Sequence, residues 1–317
     1  PRRRPIPVTY NLWDTSLRRT LASVLLNFIH GTNNILGCSL ERFKMAVVVH
    51  GFVGKAVSFG FDTEMVEQIA IDPNYGNSVE DLYSTQSLDV AFVCVPTPMS
   101  SSGRIDDSIV VDVTEKLISN TECLVVLKST VTPEIVSRLS EMSPNRFVYN
   151  PEFLTEANAN EDFVNAKFNV FGGERKAAGK LAMMYTMYSK MYNPQNVYVT
   201  ATEASFVKYT INTFLSTKVT FFNQLKELTD KQGCDFDAIV GAVKLDDRIG
   251  SSHMQVPGPD GRRGFGGACF PKDTNAMRYY SKGDFDLLDK VLDINNSYRV
   301  QYDLDEREKE QNVKFGD

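Results

Sequence analysis

From Met45 onward, short apolar runs alternate with stretches of helical spacing. Residues 46–49, 68–71, 90–95, 124–127 and 147–149 are brief and rich in β-branched or aromatic side chains, the pattern of strands buried on both faces. Between them, residues 108–119 bring Ile109, Val110, Val113 and Leu117 to one helical face, and residues 133–141 read the same way. This alternation predicts an α/β, Rossmann-like doubly wound parallel sheet. After about residue 200 the strand signals stop. Residues 203–231 then read as one long helix with no internal Gly or Pro, and Phe206, Tyr209, Ile211, Phe214, Phe221, Phe222, Leu225 and Leu228 cover more than one stripe of it. A helix that apolar is expected to be buried on several sides, with a second copy of itself as one partner, hence a homodimer. Helices over 235–243, 272–280 and 285–300 follow, and residues 303–311 read as a solvated charge run.

Composition narrows the class. A chain of 317 residues with 42% hydrophobic and 23% charged content is globular and long enough for about two domains. Nowhere does an apolar run reach the roughly 18 residues of a spanning helix, so no membrane is expected. The net charge of -6 argues against nucleic acid. That charge is uneven: residues 1–44 hold seven basic groups against two acidic ones, and the remainder 27 against 38. The leader reads as an appendage ahead of a folded unit that starts at Met45. The alternative is a secretory signal, with the apolar patch of residues 21–29 ahead of Ile35, Leu36, Gly37 and Cys38. Five scattered cysteines without Cys-x-x-Cys spacing encode neither a disulfide framework nor a zinc knuckle, and a cytoplasmic, reducing compartment is expected. Three histidines, His30, His50 and His253, are too dispersed for a His-based metal cluster.

Chemistry gathers at strand ends and in one loop. The first strand runs into Gly51-Phe52-Val53-Gly54, whose glycines suit the turn that brings backbone N–H groups to a pyrophosphate at a helix N-terminus. Val49 stands where the first Gly of G-x-G-x-x-G belongs. Asp72, 21 residues after Gly51, is placed to accept from ribose hydroxyls, and Pro73 and Asn74 in place of an Arg favour NAD over NADP. The bland reading is an ordinary glycine turn beside a strand-end Asp. Pro96 and Thr97 close the third strand, and Lys128-Ser129-Thr130 the fourth, where ligands of open sheets sit. Asn150-Pro151-Glu152 closes the fifth, and taken alone Glu152 reads as a helix N-terminal acid.

On the long helix Lys208 and Asn212 stand four apart on one face. Lys208 reads either as a snorkelling side chain or, with Asn212, as a donor pair for a developing oxyanion. The strongest signal is Gly264-Phe265-Gly266-Gly267-Ala268-Cys269-Phe270-Pro271-Lys272-Asp273. Its glycines, Gly266 among them, allow close approach to a ligand, and Pro271 suits the first turn of the next helix. Cys269 then sits at a helix N-terminus, where partial positive charge is expected to lower its pKa and favour a nucleophilic thiolate. Asp273 comes one turn later.

These motifs, in this order, resemble the UDP-glucose/GDP-mannose (nucleotide-sugar) 6-dehydrogenase family from Met45 to about Val300. The resemblance implies a sugar CH2OH oxidised to a carboxylate in two NAD-dependent steps, UDP-glucose to UDP-glucuronate being the first choice of substrate. It implies Cys269 as nucleophile, Lys208 and Asn212 on the oxyanion, and Asp273 with a water as base. Glu152 matches an active-site Glu, and Thr130 a Thr near that water and the nicotinamide. Phe153 and Leu154 fall where backbone holds the sugar nucleotide, and Arg248 matches an Arg that reaches the neighbouring subunit's site. The implied organisation is an extension over 1–44, an NAD-binding Rossmann domain over 45–200, an all-helical central dimerisation domain over 201–302, and a charged tail over 303–317. The family's third, nucleotide-binding domain would lie beyond these residues, which leaves a compact form or a partial enzyme as alternatives. Two rival functions stand beside the first: a two-electron hydroxy-acid dehydrogenase of related two-domain architecture, and a truncated dimerisation or NAD-binding module. The Cys269 loop separates the first from the hydroxy-acid dehydrogenase; the full set of polar site residues argues against the truncated module, which the absent third domain keeps open.

Overall fold

A computed structural model describes residues 42–155 and 157–316; residues 1–41 of the expected extension, with its secretory-signal reading, lie outside the described residues. The strands are β1 (Phe43–Val48), β2 (Val66–Ile71), β3 (Val90–Val93), β4 (Leu124–Leu127), β5 (Phe147–Tyr149), β6 (Phe168–Gly173) and β7 (Gln195–Val199). They form one seven-stranded sheet in the order β2-β1-β3-β4-β5-β6-β7. All pairings are parallel except β5 with β6. Among the described residues β1 starts at Phe43, two residues before the expected Met45.

Period-two alternation divides the core between the two faces of the sheet. Ala46, Val48, Ala91, Val93, Val125 and Leu127 pack into one apolar layer, and Met45, Val47, Val90, Phe92, Leu124 and Val126 into the other. Helices α1 (Phe52–Gly60), α2 (Ser108–Asn120), α3 (Pro133–Met142), α4 (Ala159–Val164) and α5 (Arg175–Tyr188) complete this half. Successive strands diverge at β1, whose neighbours are β2 on one side and β3 on the other. That switch point opens the crevice in which ligands of such sheets bind.

The second half is helical: α6 (Ala201–Lys231), α7 (Phe236–Val243), α8 (Phe270–Ser281), α9 (Asp286–Arg299) and α10 (Glu306–Glu310). A capping box starts α6. The Thr200 hydroxyl accepts from the Glu203 N–H at 3.2 Å, and Glu203 Oε2 accepts from the Thr200 N–H at 2.8 Å. Packing against β5, β6 and α3 on one side and α8 and α9 on the other, α6 joins the two halves. The tail departs from the expected solvated run. Glu308 has no exposed surface, and Val313 is buried with it. The reason is pairing: a buried carboxylate is tolerated where cations and N–H donors meet it, and here Arg299 does. Among the described residues no helix is long and apolar enough to cross a membrane.

Candidate active site

The turn after β1 meets the demands of a dinucleotide. A Cβ on Gly54 would lie 2.2 Å from the carbonyl oxygen of Val49, so only glycine lets α1 pack this close to the strand. Val49 adopts φ 66°, the left-handed conformation that a glycine would supply without strain. No side chain caps α1, and its first turn carries no acidic residue. Its leading N–H groups are therefore offered to an anion from outside. Gly51, Phe52 and Val53 form the mouth of the turn. Asp72 is buried at the end of β2, where Oδ2 accepts from the His50 N–H at 2.8 Å and Oδ1 from the Asn74 N–H at 2.9 Å. The Asn74 N–H, against the opposing cost of burial and with help from His50, holds its carboxyl below the usual range. Carboxylate lone pairs remain for ribose hydroxyls. Turn and acid together fit NAD.

Past β3 and β4, the Ser129 hydroxyl donates to the Val95 carbonyl at 2.6 Å and ties the two loops. Thr97 and Thr130 are buried beside it, and Pro96 is exposed. From the loop after β5, Glu152 meets Lys208: the buried ammonium donates to the Glu152 carbonyl at 2.6 Å and to Oε1 at 3.2 Å. Glu152 Oε2 accepts from the Leu154 N–H at 2.7 Å, and the Phe153 ring centroid lies 5.3 Å from Lys208 Nζ. Burial lowers the Lys208 pKa, but Glu152, Cys269 and Asp273 more than offset it, and the net shift is upward. One turn along α6, Asn212 Nδ2 donates to Asp273 Oδ2 at 2.6 Å. The face expected to carry donors for an oxyanion thus carries Lys208 and Asn212, each held by a carboxylate.

Cys269 is the N-cap of α8, with Pro271 in the first turn, and the Asp273 N–H donates to the Cys269 carbonyl at 2.8 Å. The expected lowering of the thiol pKa is not found. Burial, then the charges of Asp273 and Glu152, push it up to about 11, although Lys208 and Lys272 pull the other way. Desolvation and two nearby carboxylates outweigh a helix terminus. A Cβ on Gly266 would lie 2.1 Å from Arg299 Nη2, so the loop admits no side chain there. Arg248 stands apart, on the surface, donating to Asp246 at 2.6 Å.

Three groups were not singled out from the sequence. Lys272, buried, donates to Asp273 Oδ1 at 2.5 Å and lies 3.5 Å from Thr97 Oγ1, linking the thiol loop to the loop after β3. Its place in the Cys269 motif was the available signal. Lys128 Nζ donates to Asn150 Oδ1 at 3.0 Å, and burial pulls its pKa down to about 8. It lines a cavity of about 280 Å³ with Glu152, Leu154, Asp162 and Met191. The third is Glu308, in the tail. Among the described residues no group of three or more His, Cys, Asp or Glu side chains could hold a metal ion.

Residues 63–192 match the NAD binding domain of the UDP-glucose/GDP-mannose dehydrogenase family, and residues 202–297 match its central domain. The UDP-glucose 6-dehydrogenase of Rickettsia bellii is 34% identical over 221 residues, covering 68% of this chain and 49% of that protein. UDP-glucose 6-dehydrogenase TuaD of Bacillus subtilis is 28% identical over 281 residues, covering 84% and 59%. Among solved structures, a UDP-glucose dehydrogenase from Pyrobaculum islandicum superposes with a TM-score of 0.70 at 25% identity, covering 81% of this chain and 68% of that one. The chain thus spans about half the length of the Rickettsia protein.

Proposed function

Because the chain belongs to the UDP-glucose/GDP-mannose dehydrogenase family, we propose that it takes part in the NAD-dependent four-electron oxidation of a nucleotide sugar at its CH2OH carbon, with UDP-glucose as substrate. One observation carries the reading: the charges of Asp273, Glu152 and Lys208 all act on Cys269, and these groups form two amine- or amide-to-carboxylate pairs, Lys208 with Glu152 and Asn212 with Asp273. NAD, bound at the β1 turn, supplies the hydride acceptor for each step. In the first oxidation the alcohol proton passes through a water to Asp273 as the C–H hydride leaves, giving an aldehyde. An aldehyde cannot lose a second hydride until something adds to its carbonyl. Cys269 sulfur forms that bond, its proton going to a neighbouring carboxylate, and the oxyanion of the thiohemiacetal rests against Lys208 and Asn212. Hydride loss leaves a thioester. Water then breaks the C–S bond, releasing the acid and restoring the thiol. A thiol with pKa about 11 is protonated at neutral pH, so the nearby carboxylates serve as its proton acceptors during addition. The unit works as a homodimer through the outer face of α6, in which Phe214 and Phe221 are 64% and 60% exposed.

The test is the NADH yield with UDP-glucose, UDP-N-acetylmannosamine and GDP-mannose. Two NADH per UDP-glucose are expected. Cys269→Ser should stall at the aldehyde or as a covalent ester, its alkoxide being a poor leaving group. Lys208→Ala should slow both steps by on the order of a hundred- to a thousandfold. Full two-NADH turnover in Cys269→Ala would sink the cysteine mechanism.

A further inference from the structure

The loop that carries Cys269 makes almost no regular structure of its own, and side chains from three separate elements hold its backbone. Asn223 of α6 accepts the Gly264 N–H at 3.0 Å. Asn295 of α9 accepts the Phe265 N–H at 2.6 Å and donates to the Phe265 carbonyl at 3.0 Å. The third comes from the tail: Glu308 Oε1 accepts the Gly267 N–H at 3.0 Å. Of the three, this bond lies nearest Cys269 in sequence. The carboxylate has no exposed surface and is itself fixed, since Oε1 also accepts from Arg299 Nη2 at 2.6 Å and Oε2 from the Asp305 N–H at 3.0 Å, with Arg262 Nη1 at 3.7 Å. Arg299 in turn donates to Asp260 Oδ2 at 2.7 Å. Side chains on Gly266 would strike both Arg299 and Glu308, so loop and clamp are packed without a gap.

We propose that Glu308 is a positioning residue for Cys269, acting through the Gly267 N–H, and that residues 305–311 are thereby part of the active site. The same segment touches the other side of the crevice. The Gln311 carbonyl accepts from the Met99 N–H at 2.9 Å, in the loop after β3, and the Arg307 guanidinium lies 4.8 Å from the Phe52 ring centroid, in the turn after β1. One short stretch of chain therefore spans the thiol loop and two loops at the strand ends. Displacement of a reacting group by about 1 Å costs on the order of a hundredfold in rate, so a bond that fixes the loop two residues from the sulfur bears on chemistry more than on binding.

The inference rests on Cys269 as nucleophile, and two substitutions separate reach from charge. Glu308→Asp keeps the charge opposite Arg299 and withdraws the carboxylate from Gly267 by one methylene. Glu308→Gln keeps an acceptor at Gly267 and loses the charge. If Glu308 positions the loop, Asp should slow release of the second NADH by about ten- to a hundredfold with the KM for NAD near that of the parent. Amide exchange over residues 264–269 should quicken in the same variant. Gln should stay within a few-fold of the parent in both. A more impaired Gln than Asp, or parental rates and exchange in Asp, overturns the proposal and leaves Glu308 as a counter-ion for Arg299. Amide exchange needs no turnover, so failure of the cysteine mechanism is read separately, in Cys269→Ala.

Discussion

The carbonyl oxygen of Val49 lies where a side chain on Gly54 would have to go, 2.2 Å from an ideal Cβ at that position. Strand end and helix start share one van der Waals surface. Gly54→Ala must open the turn, with an expected loss of about 1–3 kcal/mol in stability, as overpacking gives, and a fall in NAD affinity. Thermal unfolding and calorimetry read the two effects. Unchanged NAD affinity in this variant would remove the turn from the cofactor site.

Val49 itself holds a β-branched side chain at φ 66°, a conformation that costs roughly 1–2 kcal/mol for a residue with a Cβ. Val49→Gly removes that strain but loses apolar contact and gains chain entropy in the unfolded state, about 0.5–1 kcal/mol. It should therefore be as stable as the parent or more so. Val49→Ala keeps the strain and loses the contact, and should be less stable than both. A denaturant series that ranked Ala above Gly would contradict the strain argument.

Legibility from sequence followed physical locality. Strands β4 and β5 were readable to the residue because an all-apolar run between breakers has few other fates. Strands β6 and β7 and helix α5 were not singled out. Gly172 and Gly173 blur the end of β6, and half of the buried face of α5 is Ala177, Ala178 and Ala182, which dilute the hydrophobic signal of Leu181, Met184 and Tyr185. Cys269, Asp273, Lys208 and Glu152 could be singled out because each sits at a strand end, in a loop motif or at helical spacing. What the sequence hid is what depends on approach through space. Four residues apart, Cys269 and Asp273 look like a cap and the acid one turn into its helix. Folded, with Glu152 and burial added, the local argument for an acidic thiol reverses. Glu308 was hidden for the same reason, since a charge run is normally solvated and nothing local says that Arg299 awaits it.

Asp72 gives a pH dependence whose sign is fixed. Its carboxyl is held below the usual range chiefly by the Asn74 N–H, so its stabilisation is present above the ordinary carboxylate pKa and is lost as pH falls through the lowered value. Asp72→Asn should be less stable than the parent at pH 7. The gap should close below about pH 4, where the unfolded-state carboxyl takes its proton. A gap that widened on acidification would rule this out. NAD affinity at pH 7 should also fall, by roughly 1–3 kcal/mol for lost charged hydrogen bonds.

Thiol labelling tests the electrostatics of Cys269 without turnover. With a pKa of about 11, its alkylation by iodoacetamide should be slow at pH 7 and rise about tenfold per pH unit toward that value. Exposed Cys234 serves as the reference in the same digest. Asp273→Asn should move the midpoint down and Lys208→Ala should move it up. Fast labelling of Cys269 at neutral pH in the free protein would mean that the helix terminus prevails after all.

Assembly is tested on α6. Phe206, Phe214, Phe221 and Leu228 recur every seven or eight residues and all are exposed in the single chain. Phe214→Asp with Phe221→Asp should convert a dimer to a monomer in sedimentation at micromolar concentration. A parent protein that is already monomeric there would count against the helix as an interface.

Helix α6 runs 31 residues without a break. Lys208, Asn212 and Asn223 line its inner side; Phe214 and Phe221 line its outer side. An insertion of one residue turns everything beyond it by about 100° around the axis. Placed after Ser216, such an insertion leaves Lys208 and Asn212 where they are, swings Asn223 off the Gly264 N–H, and splits Phe221 from Phe214. Deletions act in the opposite sense. An exposed loop away from the site can change length with little consequence, but this rod can grow or shrink only in steps that restore its phase, such as seven residues at a time.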